Sequence, residues 1–248
     1  MNDKIEGRNP VIEAIKAGRQ IDKILIAKGT SGSIVKIKSI AHENKVPIME
    51  VERQKLNEIS QTNAHQGVIA FVAMHSYASV DDILQKAKLK NEPPFIVILD
   101  EITDPHNIGS IIRTANAAGV HGVIIPKRNS AGLNATVSKT SAGAIEYTPV
   151  ARVANIVQTI ELLKSKNIWI YGTHQNADIS YVEADLSGAV GLVIGSEGQG
   201  ISALVSRKCD FLVKIPMRGE ISSLNASVAA GILMFETVRK RATANTKY

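Results

Sequence analysis

Short apolar runs recur along this chain, and their spacing separates strands from helices. KILIA (23–27), PIMEV (47–51) and GVIAFVAM (67–74) are brief and rich in β-branched side chains, so each predicts a strand. Between them, PVIEAIKAG (10–18) has a helical period, with Asn9 as N-cap, Pro10 as first helical residue and Gly18 as stop. Residues 33–45 repeat that period. The pattern predicts a small α/β domain over residues 1–75. In the stretch that follows, Ser79 is placed to cap a short amphipathic helix that Glu92-Pro93-Pro94 ends, and residues 76–94 read as a linker.

From Phe95 the runs change character. FIVILD (95–100), GVIIP (122–126), IWIYGT (168–173) and VGLVIG (190–195) are almost wholly apolar, the signature of parallel strands buried on both faces. Helical stretches at 107–118 and 153–165 alternate with them, and residues 226–236 form a further helix rich in small side chains. Residues 95–248 therefore read as a second α/β domain with a mostly parallel sheet. Ligands in such sheets bind beyond the carboxyl ends of the strands, so functional residues are expected just after Leu99, Tyr171, Ile194 and Val213.

Composition narrows the function. The net charge is +6, with an excess of three basic side chains in each of residues 1–75 and 95–248, which points to a polyanionic partner without a dense basic patch. Cys209 is the sole cysteine, so neither an internal disulfide nor a Cys-based zinc site can form, and the six histidines lack metal-ligand spacing; no metal is expected. The N-terminus has no apolar signal core and no run approaches a membrane span, which leads to the expectation of a cytoplasmic protein with no membrane partner. Aromatic residues make up only 4% of the chain, too few for base stacking to be the main RNA contact.

Three loops carry candidate chemistry. In DEITDPHNIGSIIRTANAAG (100–119), Asn107 reads either as an N-cap or as a site residue, and Arg113 is the one charge in an uncharged run, where a guanidinium needs an anionic or carbonyl partner. In GSEGQG (195–200) the glycines match neither a Walker loop, which needs a following Lys, nor the dinucleotide fingerprint. Glu197 in its middle would repel a phosphate; it suits a neutral or cationic ligand, or is a surface residue of a tight turn. In IPMRGEISSLNASVAAG (215–231), Ser223 or Asn225 can cap the following helix.

Taken together, Asn107-Ile108-Gly109 with Arg113, Ile194-Gly195-Ser196-Glu197-Gly198 with Gly200, and Ile215-Pro216-Met217 through Ser223-Leu224-Asn225 resemble the three ordered motifs of the SpoU (TrmH-type) branch of the SPOUT RNA 2'-O-ribose methyltransferases. GRNPVIEAI (7–15) and HQGVIAFV (65–72) resemble the L30e-like substrate-binding domain of members that act on 23S rRNA. The resemblance implies an α/β fold with a C-terminal deep trefoil knot, a homodimer, and S-adenosyl-L-methionine as cofactor. The reaction it implies is methylation of a guanosine ribose in 23S rRNA, in the peptidyl-transferase P loop. Another rRNA or tRNA nucleotide, a non-catalytic RNA-binding relative, and a nucleotide-dependent oxidoreductase are the alternatives. The resemblance assigns catalysis to Arg113, Asn107, Glu197, Ser223 and Asn225, with Glu197 orienting Arg113. It assigns cofactor binding to Thr173, Gly195, Glu197, Gly198, Ile215, Met217, Leu224 and Asn225. Arg8, Lys16, Lys127, Arg128 and Arg218 are the expected RNA contacts, on 23S rRNA or a ribosomal assembly intermediate.

Overall fold

The apolar runs become strands of two separate sheets. In the computed structural model, which describes residues 4–60, 62, 64–72, 75–221 and 223–245, the chain divides into two compact units. One comprises Met1–Ser76 with Gly132–Ala135, the other Tyr77–Ala131 with Thr136–Tyr248.

The first unit runs β1 (Lys4–Glu6), α1 (Arg8–Lys16), β2 (Ile21–Ala27), α2 (Ser33–Glu43), β3 (Ile48–Val51), α3 (Arg53–Ile59) and β4 (Val68–Val72). Its sheet order is β1-β4-β2-β3, with β4 antiparallel to both neighbours and β3 parallel to β2. Val11, Ile24, Ile34 and Ile37 are fully buried in one cluster joining α1, α2 and the sheet. Helix α1 starts two residues earlier than its proline suggests, behind Gly7, so Pro10 sits in the first turn, where the missing N–H has no intrahelical partner to lose. The last two residues of the strand expected at 67–74 lie outside the described residues.

The second unit runs α4 (Val80–Leu89), β5 (Phe95–Leu99), α5 (Pro105–Ala117), β6 (Gly122–Pro126), α6 (Ala135–Thr140), β7 (Val150–Val153), α7 (Ile156–Ser165), β8 (Trp169–Thr173), β9 (Ile179–Ser180), β10 (Val190–Ile194), α8 (Ala203–Ser206), β11 (Phe211–Lys214) and α9 (Ala226–Asn245). Ser79 and Asp82 close the start of α4 reciprocally: the Asp82 N–H donates to Ser79 Oγ (3.1 Å) and the Ser79 N–H to Asp82 Oδ2 (2.8 Å). The segment read as a linker is thus not a free connection. Ile83 is fully buried against Gly122, where a Cβ would stand 2.4 Å from it, and Val80 and Leu84 pack on the same core. The apolar stripe of α4 makes it part of the second unit.

The seven-stranded sheet has the order β7-β6-β5-β10-β8-β11-β9 and every pairing is parallel. Ile96, Ile98, Ile124, Ile170 and Val193 are fully buried within it. Strand β10 enters between β5 and β8, both laid down before it, and β11 then joins the far side of β8. Strand β7 occupies the start of the helix expected at 153–165; that helix begins later, behind Asn155, whose Oδ1 accepts from the Gln158 N–H (3.2 Å).

Two titratable groups, His121 buried and Cys209 half-buried, serve this packing. His121 Nδ1 accepts from the Phe95 N–H (2.9 Å) and Nε2 faces Glu92 Oε2 (3.0 Å); burial holds its pKa below the ordinary histidine value despite the carboxylate. Cys209 lies where a Gly172 Cβ would stand 2.7 Å from its Sγ, and burial pushes its thiol up to about 12, so it is a packing residue rather than a nucleophile.

Candidate active site

Helix α5 is capped by Asp104, whose Oδ1 accepts from the His106 N–H (2.9 Å), with Pro105 at the first helical position. Asn107 is therefore not the cap. It lies in the first turn, buried, and its side chain is available for contacts beyond its own helix. Gly109 permits a close approach, but to α6: a Cβ there would stand 1.8 Å from Thr140 Oγ1.

The glycine loop follows β10. Ser196 and Gly200 exchange backbone hydrogen bonds of 3.0 and 2.9 Å, closing a tight turn in which Gly198 and Gly200 adopt φ of 84° and 69°. Gly195 is required for another reason: a Cβ on it would lie 2.0 Å from the Gly200 carbonyl carbon.

Glu197 projects from this turn and joins the three loops. Its Oε1 accepts from Asn107 Nδ2 (3.1 Å), from the Ala226 N–H (3.2 Å) and from Asn225 Nδ2. Asn225 Nδ2 also donates to Asn107 Oδ1 (2.9 Å). The other end of Asn225 caps α9: its Oδ1 accepts from the Ser227 N–H (3.0 Å) and Ser227 Oγ (2.5 Å). A carboxylate at the N-terminus of this 20-residue helix is favoured by the orphan N–H groups and the helix dipole. The negative charge that looked anomalous in a glycine loop thus has a structural partner.

Beyond the ends of β8, β10 and β11 the segments that follow these strands enclose a cavity of about 510 Å³, and the Asn107 loop touches it only through its bond to Glu197. Thr173, Gly195, Glu197, Gly198, Ile215, Met217, Ser223 and Leu224 line it. Asn225 is not among the lining residues; it is exposed, and its side chain bonds Asn107 and Glu197. His174, Gln175 and Asn176, which the motif reading passed over, also line it; they directly follow the apolar run 168–173, so the strand-end rule alone would have found them. Among the described residues Lys214 is the only lysine or arginine in the wall, beside apolar Ile194, Ile215, Pro216 and Leu224. Such a surface suits a mostly neutral ligand held by main chain and rejects a polyphosphate.

Arg113 is exposed on α5 and is not in the cavity wall. Among the described residues no acceptor pairs with its guanidinium. The expected Glu197–Arg113 contact is absent there: the two asparagines and the α9 N-terminus occupy the carboxylate instead. Of the expected RNA contacts, Arg8 is committed to its own unit, with Nε donating to the Gln66 carbonyl (3.0 Å) and Nη1 to the Ser31 carbonyl (3.0 Å) and Ser33 Oγ (3.2 Å). Lys16 pairs with Glu13 (2.9 Å) on the surface of α1. Lys127 is half-buried, whereas Arg128 and Arg218 are exposed and have no partner among the described residues.

Solved structures share this architecture. The SpoU methyltransferase AviRb from Streptomyces viridochromogenes, crystallised in complex with AdoMet, superposes with a TM-score of 0.61 at 26% identity, covering 97% of this chain and 90% of that one. An AdoMet-bound rRNA methyltransferase from Sinorhizobium meliloti gives 0.58 at 26% identity, covering 95% and 86%. The fold is that of an RNA methyltransferase of the TrmH/SpoU type. The sequence model of the SpoU rRNA Methylase family matches residues 94–235, and that for RNA 2'-O ribose methyltransferase substrate binding matches residues 4–78. YacO of Bacillus subtilis, a TrmH family tRNA/rRNA methyltransferase by name, is 48% identical over 241 residues, 97% of this chain and 96% of its own length. A Staphylococcus aureus protein of the same designation is 50% identical over 240 residues, 96% of each. This chain belongs to the SpoU rRNA methylase family.

Proposed function

We propose that this protein transfers the methyl group of S-adenosyl-L-methionine to the ribose 2'-oxygen of a guanosine in 23S rRNA, in the peptidyl-transferase P loop. The observation that carries the reading is the cavity beyond β8, β10 and β11, lined from the segments 173–176, 194–200 and 213–229, with Glu197 of its wall bonded to Asn107 and Asn225. Its volume of about 510 Å³ is in the range for a nucleoside-sized ligand. Its near absence of basic side chains suits a sulfonium cofactor without phosphates. Gly195, Ile215 and Leu224 would hold the adenosine through backbone groups. When bound, the cofactor supplies an electrophilic methyl group on a cationic sulfur.

The rest falls to the chain's own residues. Aligning two reactants contributes about 7–11 kcal/mol in favourable cases. Arg113 is a poor general base, since a guanidinium offers hydrogen-bond donors and no acceptor. Its role is to grip the phosphate beside the target ribose and stabilise negative charge developing on the 2'-oxygen. Ser223, in the cavity wall, would fix the substrate edge of the pocket.

The order in which β8, β10 and β11 are laid down, with the chain then returning to pack α9 on α5 and β10, supports a trefoil knot in this region. Val228 and Phe235 on α9 are seven residues apart, hence on one helix face, and are 49% and 50% exposed; this apolar stripe supports a homodimer. Sedimentation giving a monomer at working concentration would exclude it. The names of the relatives include tRNA beside rRNA, which keeps a tRNA ribose as the second reading. Mapping ribose methylation on 23S rRNA and tRNA from cells with and without the gene separates them. Loss of one 2'-O-methylguanosine in the P loop is expected; an unchanged rRNA map with a lost tRNA mark selects the alternative.

A further inference from the structure

A second cavity opens at the same end of the sheet. It has a volume of about 220 Å³ and lies over β7, β6 and β5, whereas the cofactor cavity lies over β10, β8 and β11. Part of its wall is apolar, with Pro126 and Leu204, the latter 52% exposed. Its polar lining is Asp100, Glu101, Arg128, Asn129, Asn155 and Ser202, of which Asp100 is already engaged, its Oδ2 accepting from the Ser202 N–H (2.8 Å).

Part of this lining is held at local backbone cost, and Glu101 and Arg128 have no ion-pair partner among the described residues. Glu101 and Asn129 adopt φ of 58° and 54°, the left-handed region that a side chain disfavours, Glu more than Asn. Asn129 Nδ2 reaches Glu101 Oε1 only at 3.5 Å, and no other described residue bonds the carboxylate. Arg128 pairs with none of the described residues, so carboxylate and guanidinium stand on one cavity without neutralising each other. Asn155 caps α7 through Oδ1, which leaves its NH₂ group available.

An acceptor pair, a cation and an apolar wall together match a nucleotide. The carboxylate can accept two N–H groups from one edge of a base, the guanidinium can hold a phosphate, and the wall can cover a ring face. Among the RNA bases guanine offers adjacent N1–H and N2–H donors on its Watson–Crick edge. The strands at the centres of the two cavities, β6 and β8, are three strand spacings apart, about 14 Å, too far for one nucleotide to fill both.

We propose that this cavity binds a guanine nucleotide flanking the methylated residue of the substrate RNA, with Glu101 reading the base edge and Arg128 holding its phosphate. The inference rests on the RNA methyltransferase reading and adds a determinant of its sequence preference.

Titration of the ¹⁵N-labelled full chain with GMP, AMP, CMP and UMP tests it. GMP is expected to shift the amides of Glu101, Asn129 and Leu204 and to bind roughly tenfold more tightly there than the other three. Glu101→Gln, which keeps side-chain length and backbone but removes the charge and one acceptor, should abolish that preference with an unchanged melting temperature. Arg128→Ala should weaken all four alike. Equal binding of the four nucleotides, no shift at these amides, or shifts confined to residues 195–217 would each overturn the proposal. Methyl transfer to rRNA by the wild-type chain is measured in parallel: its absence tells against the enzymatic reading, and the titration is scored independently of it.

Discussion

Arg113→Ala loses methyl transfer while its affinity for S-adenosyl-L-methionine stays within about twofold of wild type. The two halves of this expectation have separate physical grounds. Arg113 is exposed on α5 and outside the wall of the cavity proposed to hold the cofactor, so truncating it should remove no cofactor contact. It has no partner among the described residues, so no internal ion pair is broken and the melting temperature should hold. The loss falls on the step in which charge develops on the 2'-oxygen, where deleting one preorganised donor costs roughly 10²–10³ in kcat. Arg113→Lys should recover little, because a point charge cannot reproduce the bidentate fork that grips a phosphate. Single-turnover transfer of a labelled methyl group, alongside calorimetric titration of the cofactor, measures both halves. Near wild-type turnover in the alanine variant would remove Arg113 from the reaction, and a parallel collapse of cofactor affinity would place it in the cavity instead.

Gly195→Ala should produce the opposite split, with cofactor affinity falling about 100-fold. The added methyl would lie 2.0 Å from the Gly200 carbonyl carbon and 2.2 Å from its oxygen. No rotamer change relieves a clash with backbone, so the turn from Ser196 to Gly200 must open. Opening it moves Glu197 away from Asn107, Asn225 and the start of α9, and the wall loses its shape. Gly188→Ala is the control, since a Cβ there meets nothing within 4 Å. Calorimetry on the two variants, with circular dichroism to confirm that both are folded, decides the matter. Unaltered affinity in Gly195→Ala would mean that the turn is not part of the binding surface.

Much of this architecture was legible because parallel strands buried on both faces must be apolar at nearly every position. FIVIL, GVIIP and VGLVI in the second unit contain no charged residue, and each became a strand within a residue or two of its expected bounds. Elements with mixed patterns escaped that logic. Strand β1 is the three residues Lys4–Glu6 and is held by its pairing with β4; α3 buries only Leu56. Helix α4 was visible with its cap, but its place was not, since amphipathic periodicity says that a face is covered and does not say by what. The apolar partner was Gly122 and its neighbours, some forty positions along the chain.

The site divides in the same way. Sequence by itself singled out the candidate segments, because the glycines at 195, 198 and 200, the asparagines at 107 and 225 and the lone Arg113 stand out against their apolar surroundings wherever the chain goes. Only the tertiary structure decided what each does. It bonded Glu197 to two asparagines and a helix terminus in place of Arg113, withdrew Asn225 from the cavity wall, and spent Arg8 on the carbonyls of Gln66 and Ser31. The reason is geometric: side-chain identity sets what a residue can donate or accept, but the groups within hydrogen-bond reach are fixed by strand order, and residues 107, 197 and 225 become neighbours only when β10 is inserted beside β5 and α9 returns to pack on α5.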